Sequence, residues 1–267
     1  MIPIERVECQ DFAMEFFRFG TGARTLVILP GLSVQSVMGS ADAVAQAYDA
    51  LAQDYTIYLF DRRETLPDVY GVEEMGRDTA EAMKALGLKD TYLFGASQGG
   101  MMALVIAIEY PELVKKLVLG STSAHVLPEQ FRAIERWIAL AEANDPVGLY
   151  LAFGEQVYPP AVFAQFREAL VAAGKTVTEA ELRRFITLAR GIEGFDVSNR
   201  VSEIQCPVLA IGVFEDAVLD SDATMEIAEK LDLKPNFLLY LYTGYGHAAF
   251  DTAPDYRERI KRFFEEG

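Results

Sequence analysis

The chain has 267 residues, of which 51% are hydrophobic, and this is enough for a large buried core. A length of roughly 250 residues often forms one α/β domain rather than two. The formal net charge of −16 argues against nucleic acid and anionic membranes as partners. Because the acidic residues are dispersed along the chain, they indicate a solvated acidic surface and no specific binding role.

Cysteine usage and the N-terminus indicate the compartment. Cys9 and Cys206 lie far apart and form no metal-ligand cluster, which is typical of structural thiols in a reducing compartment. Residues 1–6 lack the basic start and apolar segment of a signal peptide. No apolar run approaches the roughly 20 residues of a membrane span. We therefore expect a cytoplasmic protein with no metal and no cofactor, and the sequence leaves open whether it forms a homo-oligomer.

The first part of the chain predicts alternating strands and helices. Two strand-like runs at 4–9 and 13–19 predict an antiparallel hairpin. The run at 25–29 is apolar on both faces, as in a buried parallel strand. Further along, the pattern predicts helices at 40–53, 72–86 and 98–110, and strands at 55–60, 91–94 and 117–119. This alternation is typical of a parallel sheet with helices on both faces, an α/β fold. Residues 61–70 are predicted to leave the second buried strand as a polar loop.

The alternation stops after residue 123. Helical patterns alone follow, at 128–143, 146–158, 160–173 and 178–191. We interpret residues 124–200 as a helical cap inserted into a core domain formed by residues 1–123 and 201–267, because one crossover between strands needs only one helix. After this segment the alternation resumes, with strands predicted at 206–212 and 237–242 and helices at 221–231 and 254–264.

The segment Gly95-Ala96-Ser97-Gln98-Gly99 carries the clearest functional signal. It is Gly-x-Ser-x-Gly with a strand before it and a helix after it, the context of a nucleophile elbow. The glycines are needed where the backbone doubles back on itself. The turn exposes the Ser97 hydroxyl beside the positive end of the following helix. We therefore predict that Ser97 is a catalytic nucleophile.

A serine nucleophile needs a base, and the chain has only two histidines. His247 lies in a glycine-rich loop directly after the last predicted strand. Such loops gather at the carboxyl edge of a doubly wound sheet, where Ser97 also emerges. His125 opens the helical segment instead, and we interpret it as structural. The sequence therefore favours His247 as the base.

The acid that orients the histidine should lie between Ser97 and His247 in the chain. Three candidates follow the predicted strand at 206–212: Glu215, Asp216 and Asp220. We favour Asp216, which is best placed in the turn leaving the strand. Asp220 fits better as the cap of the next helix.

A tetrahedral oxyanion needs two backbone N–H donors. One should come from Gln98, the residue after the nucleophile. The other should come from the loop after the strand at 25–29, and we assign it to Leu32 in Pro30-Gly31-Leu32.

Taken together, these motifs resemble the α/β-hydrolase fold family over nearly the whole chain. The elbow, the Asp216-Ala-Val-Leu219 turn and the Gly246-His247-Ala-Ala-Phe250 loop carry the resemblance, and residues 124–200 correspond to the family's helical cap. Pro30-Gly31 stands where many members have His-Gly. Asp61-Arg62-Arg63 begins like a further family motif, which Glu64-Thr65-Leu66-Pro67 then breaks.

The resemblance implies a capped serine hydrolase that acts on a small carboxylic ester, lactone or related acyl substrate through an acyl-enzyme. Ser97 in place of aspartate counts against the epoxide hydrolases and haloalkane dehalogenases of the family. Two alternatives stay open: a ligand receptor or signalling protein with slow turnover, and an acyltransferase or perhydrolase that uses the same residues. Five aromatic residues of the cap fit either an acyl pocket or plain packing: Trp137, Phe153, Tyr158, Phe163 and Phe166.

Overall fold

The computed structural model describes residues 1–266, and its centre is a sheet of eight strands. These are β1 (Ile4–Glu8), β2 (Ala13–Phe19), β3 (Arg24–Leu29), β4 (Tyr55–Arg63), β5 (Thr91–Ala96), β6 (Val114–Gly120), β7 (Val208–Val213) and β8 (Phe237–Tyr242). Their order across the sheet is β1-β2-β4-β3-β5-β6-β7-β8. The first two strands form the predicted antiparallel hairpin, and β2 also pairs antiparallel with β4. All other pairs are parallel, which confirms the predicted α/β sheet.

Helices connect the strands and cover the sheet. They are α1 (Ala41–Ala47), α2 (Asp49–Ala52), α3 (Val72–Ala85), α4 (Gln98–Glu109), α5 (Pro128–Glu142), α6 (Pro146–Val157), α7 (Pro160–Gly174), α8 (Glu179–Arg190), α9 (Asp220–Leu231), α10 (Ala249–Thr252) and α11 (Tyr256–Glu265). Short 3-10 helices occupy Val37–Ser40, Pro111–Leu113 and Ser198–Glu203. Among the described residues, no helix combines the length and apolar character needed to cross a membrane.

The sheet buries both of its faces, as the continuous apolar runs of its central strands predict. Alternate residues of β3 pack on opposite sides: Val27 and Leu29 join a core with α3, α4 and α9, whereas Leu26 and Ile28 join a core with α1, α2 and α11. Helices α5 to α8 follow β6 without an intervening strand and precede β7, as the sequence predicts. The assignment of residues 124–200 to a separate cap domain stays a prediction.

Two local predictions were wrong. The helix predicted over 40–53 is interrupted at Tyr48, whose φ of −105° and ψ of 15° separate α1 from α2. Residues 61–63 do not begin a polar loop, because β4 continues to Arg63 and pairs there with Met14 of β2. Asp61 and Arg62 are buried in this extension at 6% and 4% exposure. The Asp61 carboxylate and Arg62 Nη2 find partners from segments distant in sequence, which is how these charged side chains are accommodated inside the protein, whereas Arg62 Nε has no hydrogen-bond partner among the described residues.

Candidate active site

Ser97 sits on a strained turn between strand β5 and helix α4. Its φ of 52° and ψ of −124° lie outside the helical and extended regions that L-residues prefer. Neighbouring strand β6 and the loop after it hold the turn in place. The Ser97 N–H donates to the Gly120 carbonyl at 2.8 Å, and the Ser97 carbonyl accepts from Thr122 Oγ1 at 2.7 Å. Strain of this kind persists only where surrounding contacts enforce it, and it concentrates at functional sites.

The glycines on either side of Ser97 are sterically required. A Cβ at Gly99 would lie 2.0 Å from the Leu29 carbonyl oxygen, and one at Gly95 would lie 2.3 Å from the Gly99 carbonyl oxygen. Both distances are far inside van der Waals contact and both involve backbone, which has no room to move. Strand β3, strand β5 and helix α4 therefore approach closely at this point, as a strand-to-helix elbow requires.

The structure brings Ser97, His247 and Asp216 together at the carboxyl edge of the sheet. His247 Nε2 lies 2.9 Å from Ser97 Oγ. His247 Nδ1 lies 2.8 Å and 3.0 Å from the two oxygens of Asp216. The imidazole and the carboxylate are buried at 4% and 7% exposure. This is the geometry in which a carboxylate holds an imidazole that can take a proton from a serine hydroxyl.

Asp216 is fixed by backbone donors as well as by the histidine. Its Oδ1 accepts from the N–H groups of Val218 at 2.9 Å and Leu219 at 3.1 Å, in the turn between β7 and α9. The turn therefore fixes the side chain of Asp216 with its second oxygen 2.8 Å from His247 Nδ1.

The other candidate residues lie elsewhere. Asp220 Oδ1 accepts from the N–H groups of Asp222 and Ala223 at 3.0 Å and 3.2 Å, so it caps helix α9 as predicted. Glu215 points outward and accepts from the exposed Gly244 N–H at 2.8 Å.

His125 forms an isolated β-bridge with Asp196 and does not line the cavity at Ser97.

The two predicted oxyanion donors both adjoin the serine. Gln98 is the first residue of helix α4, and Leu32 lies in the loop after β3. That loop contacts the nucleophile, since a Cβ at Gly31 would lie 3.2 Å from Ser97 Cβ. Within residues 1–266, no protein acceptor is found for the backbone N–H of Leu32 or Gln98. Two N–H groups beside a serine that bind no protein acceptor are suited to an oxyanion.

A buried arginine connects these two donor segments, and the sequence analysis missed it. Arg62 Nη2 donates to the Pro30 carbonyl at 2.9 Å and to Gln98 Oε1 at 2.8 Å. The Gln98 side chain in turn donates through Nε2 to the Leu188 carbonyl of α8 at 2.7 Å. Burial lowers the pKa of Arg62 to about 10, so the guanidinium stays charged at neutral pH. In the partial family motif Asp61-Arg62-Arg63, the residue that matches the motif's arginine is Arg63, so the pattern did not single out Arg62 or indicate its burial.

Neighbouring Asp61 ties the end of β4 to the helical segment. Its carboxylate accepts from Ser36 Oγ at 2.6 Å and pairs with Arg184 of α8. Gln35, in the loop after β3, donates to Glu181 of α8 at 3.0 Å. The loop that carries Leu32 is therefore held from the core side and from the helical segment.

A largely apolar cavity of about 270 Å³ opens onto Ser97 and His247. Its walls come from the loop after β3, the helical segment and the loop around His247. Of the five aromatic residues considered for an acyl pocket, Trp137, Phe153 and Tyr158 line the cavity. Phe163 and Phe166 do not; Phe166 is 41% exposed. Trp137 and Phe153 pack against each other, with ring centroids 4.4 Å apart, on one wall.

The chain and its structure are similar to several known proteins. A family model described as "alpha/beta hydrolase fold" matches residues 24–254. The chain is 28% identical over 217 residues to the "Putative carbamate hydrolase RutD" of Rhizobium rhizogenes, covering 78% of this chain and 81% of that protein. Its structure resembles MGS-M2, an α/β-hydrolase enzyme from a Medee basin deep-sea metagenome library, with a TM-score of 0.87, 21% identity and 98% of each chain covered. It also resembles the enol-lactonase from Burkholderia xenovorans LB400, with a TM-score of 0.82, 16% identity and coverage of 99% and 100%. At these identities the two structural likenesses concern the fold alone.

Proposed function

The chain belongs to the α/β-hydrolase fold family and to the hydrolase class of enzymes, and we propose that it hydrolyses small acyl substrates with Ser97 as nucleophile, His247 as base and Asp216 as the orienting acid. The substrate class is a carboxylic ester, a lactone or a related acyl compound. A carbamate belongs to the same class, because its carbonyl is attacked in the same way, and the name of the RutD relative supports including it.

One observation carries the proposal: the continuous hydrogen-bonded series from Ser97 Oγ through His247 to Asp216, at 2.9 Å and 2.8 Å, beside a cavity of substrate size. A serine hydroxyl is a weak nucleophile until a base removes its proton. The buried Asp216 carboxylate accepts a hydrogen bond from Nδ1–H, which leaves the Nε2 lone pair facing Ser97. This arrangement activates the Ser97 hydroxyl and orients the imidazole.

The reaction proceeds in two halves. Ser97 Oγ attacks the substrate carbonyl carbon while its proton passes to His247 Nε2. The carbonyl oxygen becomes an oxyanion, which accepts hydrogen bonds from the N–H groups of Leu32 and Gln98. His247 then donates its Nε2 proton to the leaving group, and Ser97 carries the acyl group as an ester. A water molecule then attacks that ester while its proton passes to His247 Nε2, and His247 returns this proton to Ser97 Oγ as the acid is released.

Ser97→Ala tests the proposal on a panel of small esters, lactones and carbamates. The wild type should turn over at least one class many times per protein molecule. Ser97→Ala should lower kcat on it by at least about 10³-fold while the melting temperature changes little. A variant that keeps near-normal activity would place the nucleophile elsewhere.

The same panel separates hydrolysis from the two alternatives. A ligand receptor on this fold would release one product equivalent and retain a stable adduct. An acyltransferase or perhydrolase would divert the acyl group when an alcohol or peroxide is added. We expect repeated turnover, with the free acid as the main product in water.

A further inference from the structure

The cavity at Ser97 has one carboxylate in its wall, that of Asp251. Asp251 lies in helix α10, just after the loop that carries His247. Among the described residues that line the cavity, no lysine or arginine is present, and His247 is the only other side chain that can carry a charge near neutral pH. In an otherwise apolar wall, the sign of a single charge has a large effect on which ligands bind.

Asp251 lines this cavity, and its carboxylate has no hydrogen-bond or ion-pair partner among residues 1–266. The residue is accessible, yet burial raises the pKa of its carboxyl, with Arg257 opposing the effect. Within residues 1–266, its oxygens make no hydrogen bond to the protein and no ion pair. A carboxylate that belongs to a cavity wall and has no such partner is available to a ligand.

Two tyrosines, Tyr48 and Tyr158, line the cavity together with Asp251. Burial raises the pKa of Tyr158 to about 12, and the negative charge of Asp251 adds to that effect. The same charge opposes ionisation of Tyr48, whose pKa is raised chiefly by burial. Arg257 lies behind Tyr48, 5.0 Å from its ring centroid, and does not line the cavity.

On the basis of the proposed serine hydrolase function, we propose that Asp251 makes the cavity selective by charge. It admits neutral and cationic acyl substrates, places an ammonium or other hydrogen-bond-donating group against the Asp251 carboxylate, and rejects substrates with a carboxylate at that position. A carboxylate there would meet the like charge of Asp251 with no lysine or arginine among the described lining residues to offset it, whereas an ammonium would give Asp251 a direct ion-pair partner.

Matched esters test this selectivity in the wild-type protein. One set consists of acetate esters whose alcohol ends in a trimethylammonium, a tert-butyl or a carboxylate group. The second set consists of p-nitrophenyl esters whose acyl chain ends in the same three groups, so that either side of the scissile bond can reach Asp251. In at least one set, kcat/KM should rank ammonium above tert-butyl above carboxylate. A preference for the carboxylate ester in both sets would overturn the proposal.

Asp251→Asn removes the charge and keeps the shape. The ratio of kcat/KM between the ammonium ester and its tert-butyl isostere should fall at least about tenfold in this variant. Asp68→Asn is the matched control, because Asp68 is exposed and away from the cavity, and the net charge changes equally. In the control the ratio should stay at the wild-type value. A ratio that is equal in the wild type and in Asp251→Asn would contradict the proposal.

The assay also separates failure of this inference from failure of the proposed function. If hydrolysis of the tert-butyl esters persists in Ser97→Ala, the serine hydrolase reaction itself is wrong. If hydrolysis depends on Ser97 while the charge preference does not depend on Asp251, the selectivity proposal alone is wrong.

Discussion

Arg62 and Gln98 are joined by a buried hydrogen bond of 2.8 Å between Nη2 and Oε1, although they belong to a strand and a helix on separate parts of the chain. The same guanidinium binds the Pro30 carbonyl, and the same amide binds the Leu188 carbonyl. Strand β4, the loop after β3, the start of α4 and helix α8 are therefore joined through the side chains of Arg62 and Gln98. We infer that Arg62 positions the two backbone segments that carry the proposed oxyanion donors.

Replacing Arg62 should impair catalysis through geometry. In Arg62→Met the loop after β3 loses its anchor to α4, and kcat should fall about 10²-fold, as expected when reacting groups are misplaced by about 1 Å. The free energy of unfolding should also fall by about 1–3 kcal/mol, because hydrogen bonds to a charged group are lost in the interior. Steady-state kinetics and urea unfolding measure the two effects.

Two further variants separate positioning from stability. Arg62→Lys retains the charge and one donor nitrogen, and it should recover part of kcat. Arg183→Met on the exposed side of α8 removes the same charge and should change neither quantity appreciably. If Arg62→Met loses stability while kcat of its folded fraction stays normal, Arg62 is structural and does not position the oxyanion donors.

The three acids that follow β7 should differ sharply in their effect. Asp216→Asn should lower kcat by about 10⁴-fold, because an amide stabilises the wrong imidazole tautomer and does not offset the imidazolium charge. Asp220→Asn should lower the free energy of unfolding by about 1 kcal/mol or less, through a weaker helix cap. Glu215→Gln should have little effect, since its partner is one exposed N–H. Measuring kcat on one good ester and the melting temperature of each variant tests all three predictions. An inactive Glu215→Gln variant together with an active Asp216→Asn variant would show that the wrong acid was chosen.

The two histidines should respond differently to a fluorophosphonate probe. His247→Ala should abolish labelling of Ser97, because no other described residue lies within hydrogen-bond reach of Ser97 Oγ as a base. In His125→Ala, the probe should label Ser97 at nearly the wild-type rate, since His125 forms a β-bridge with Asp196 and does not line the cavity. Labelling rates read by gel fluorescence make the comparison. The opposite pattern would mean that the base lies in the helical segment.

The two thiols should be inert in the folded protein. Burial raises the pKa of both Cys9 and Cys206 to about 11. At pH 7 the thiolate fraction is then roughly 10⁻⁴, and the thiolate is the reactive form. Iodoacetamide at neutral pH should therefore leave activity intact and should modify both thiols only after unfolding. Rapid alkylation of the native protein with loss of activity would contradict this account.

Much of the fold could be predicted because its determinants are local. Strands β3, β5 and β7 are apolar on both faces, and this pattern distinguishes a buried parallel strand from an amphipathic one. The three side chains that meet at the carboxyl edge, Ser97, Asp216 and His247, were each found from the strand they follow. Parallel strands bring the loops at their carboxyl ends to one edge of the sheet. For this prediction, the strand that each residue follows therefore mattered more than the number of residues between the three side chains. Their catalytic roles stay predictions.

The failed prediction of a loop from residue 61 concerns residues whose partners are distant in sequence. Asp61 and Arg62 look like loop residues because charged side chains are rarely buried, and only the fold supplies Ser36, Arg184 and Gln98 as their partners. The accessibility of Asp251 within an apolar cavity likewise depends on tertiary structure. Local patterns detect elements and turns, whereas buried polar networks are properties of the assembled chain.

The central claim is that an acyl group is carried by Ser97 during repeated turnover. The most direct measurement is peptide mass spectrometry of protein quenched in acid while it turns over a slowly hydrolysed ester. The account predicts the acyl mass on the peptide that contains Ser97, followed by its loss and release of free acid once substrate is exhausted. Steady turnover with Ser97 unmodified and the acyl group on another residue would contradict it.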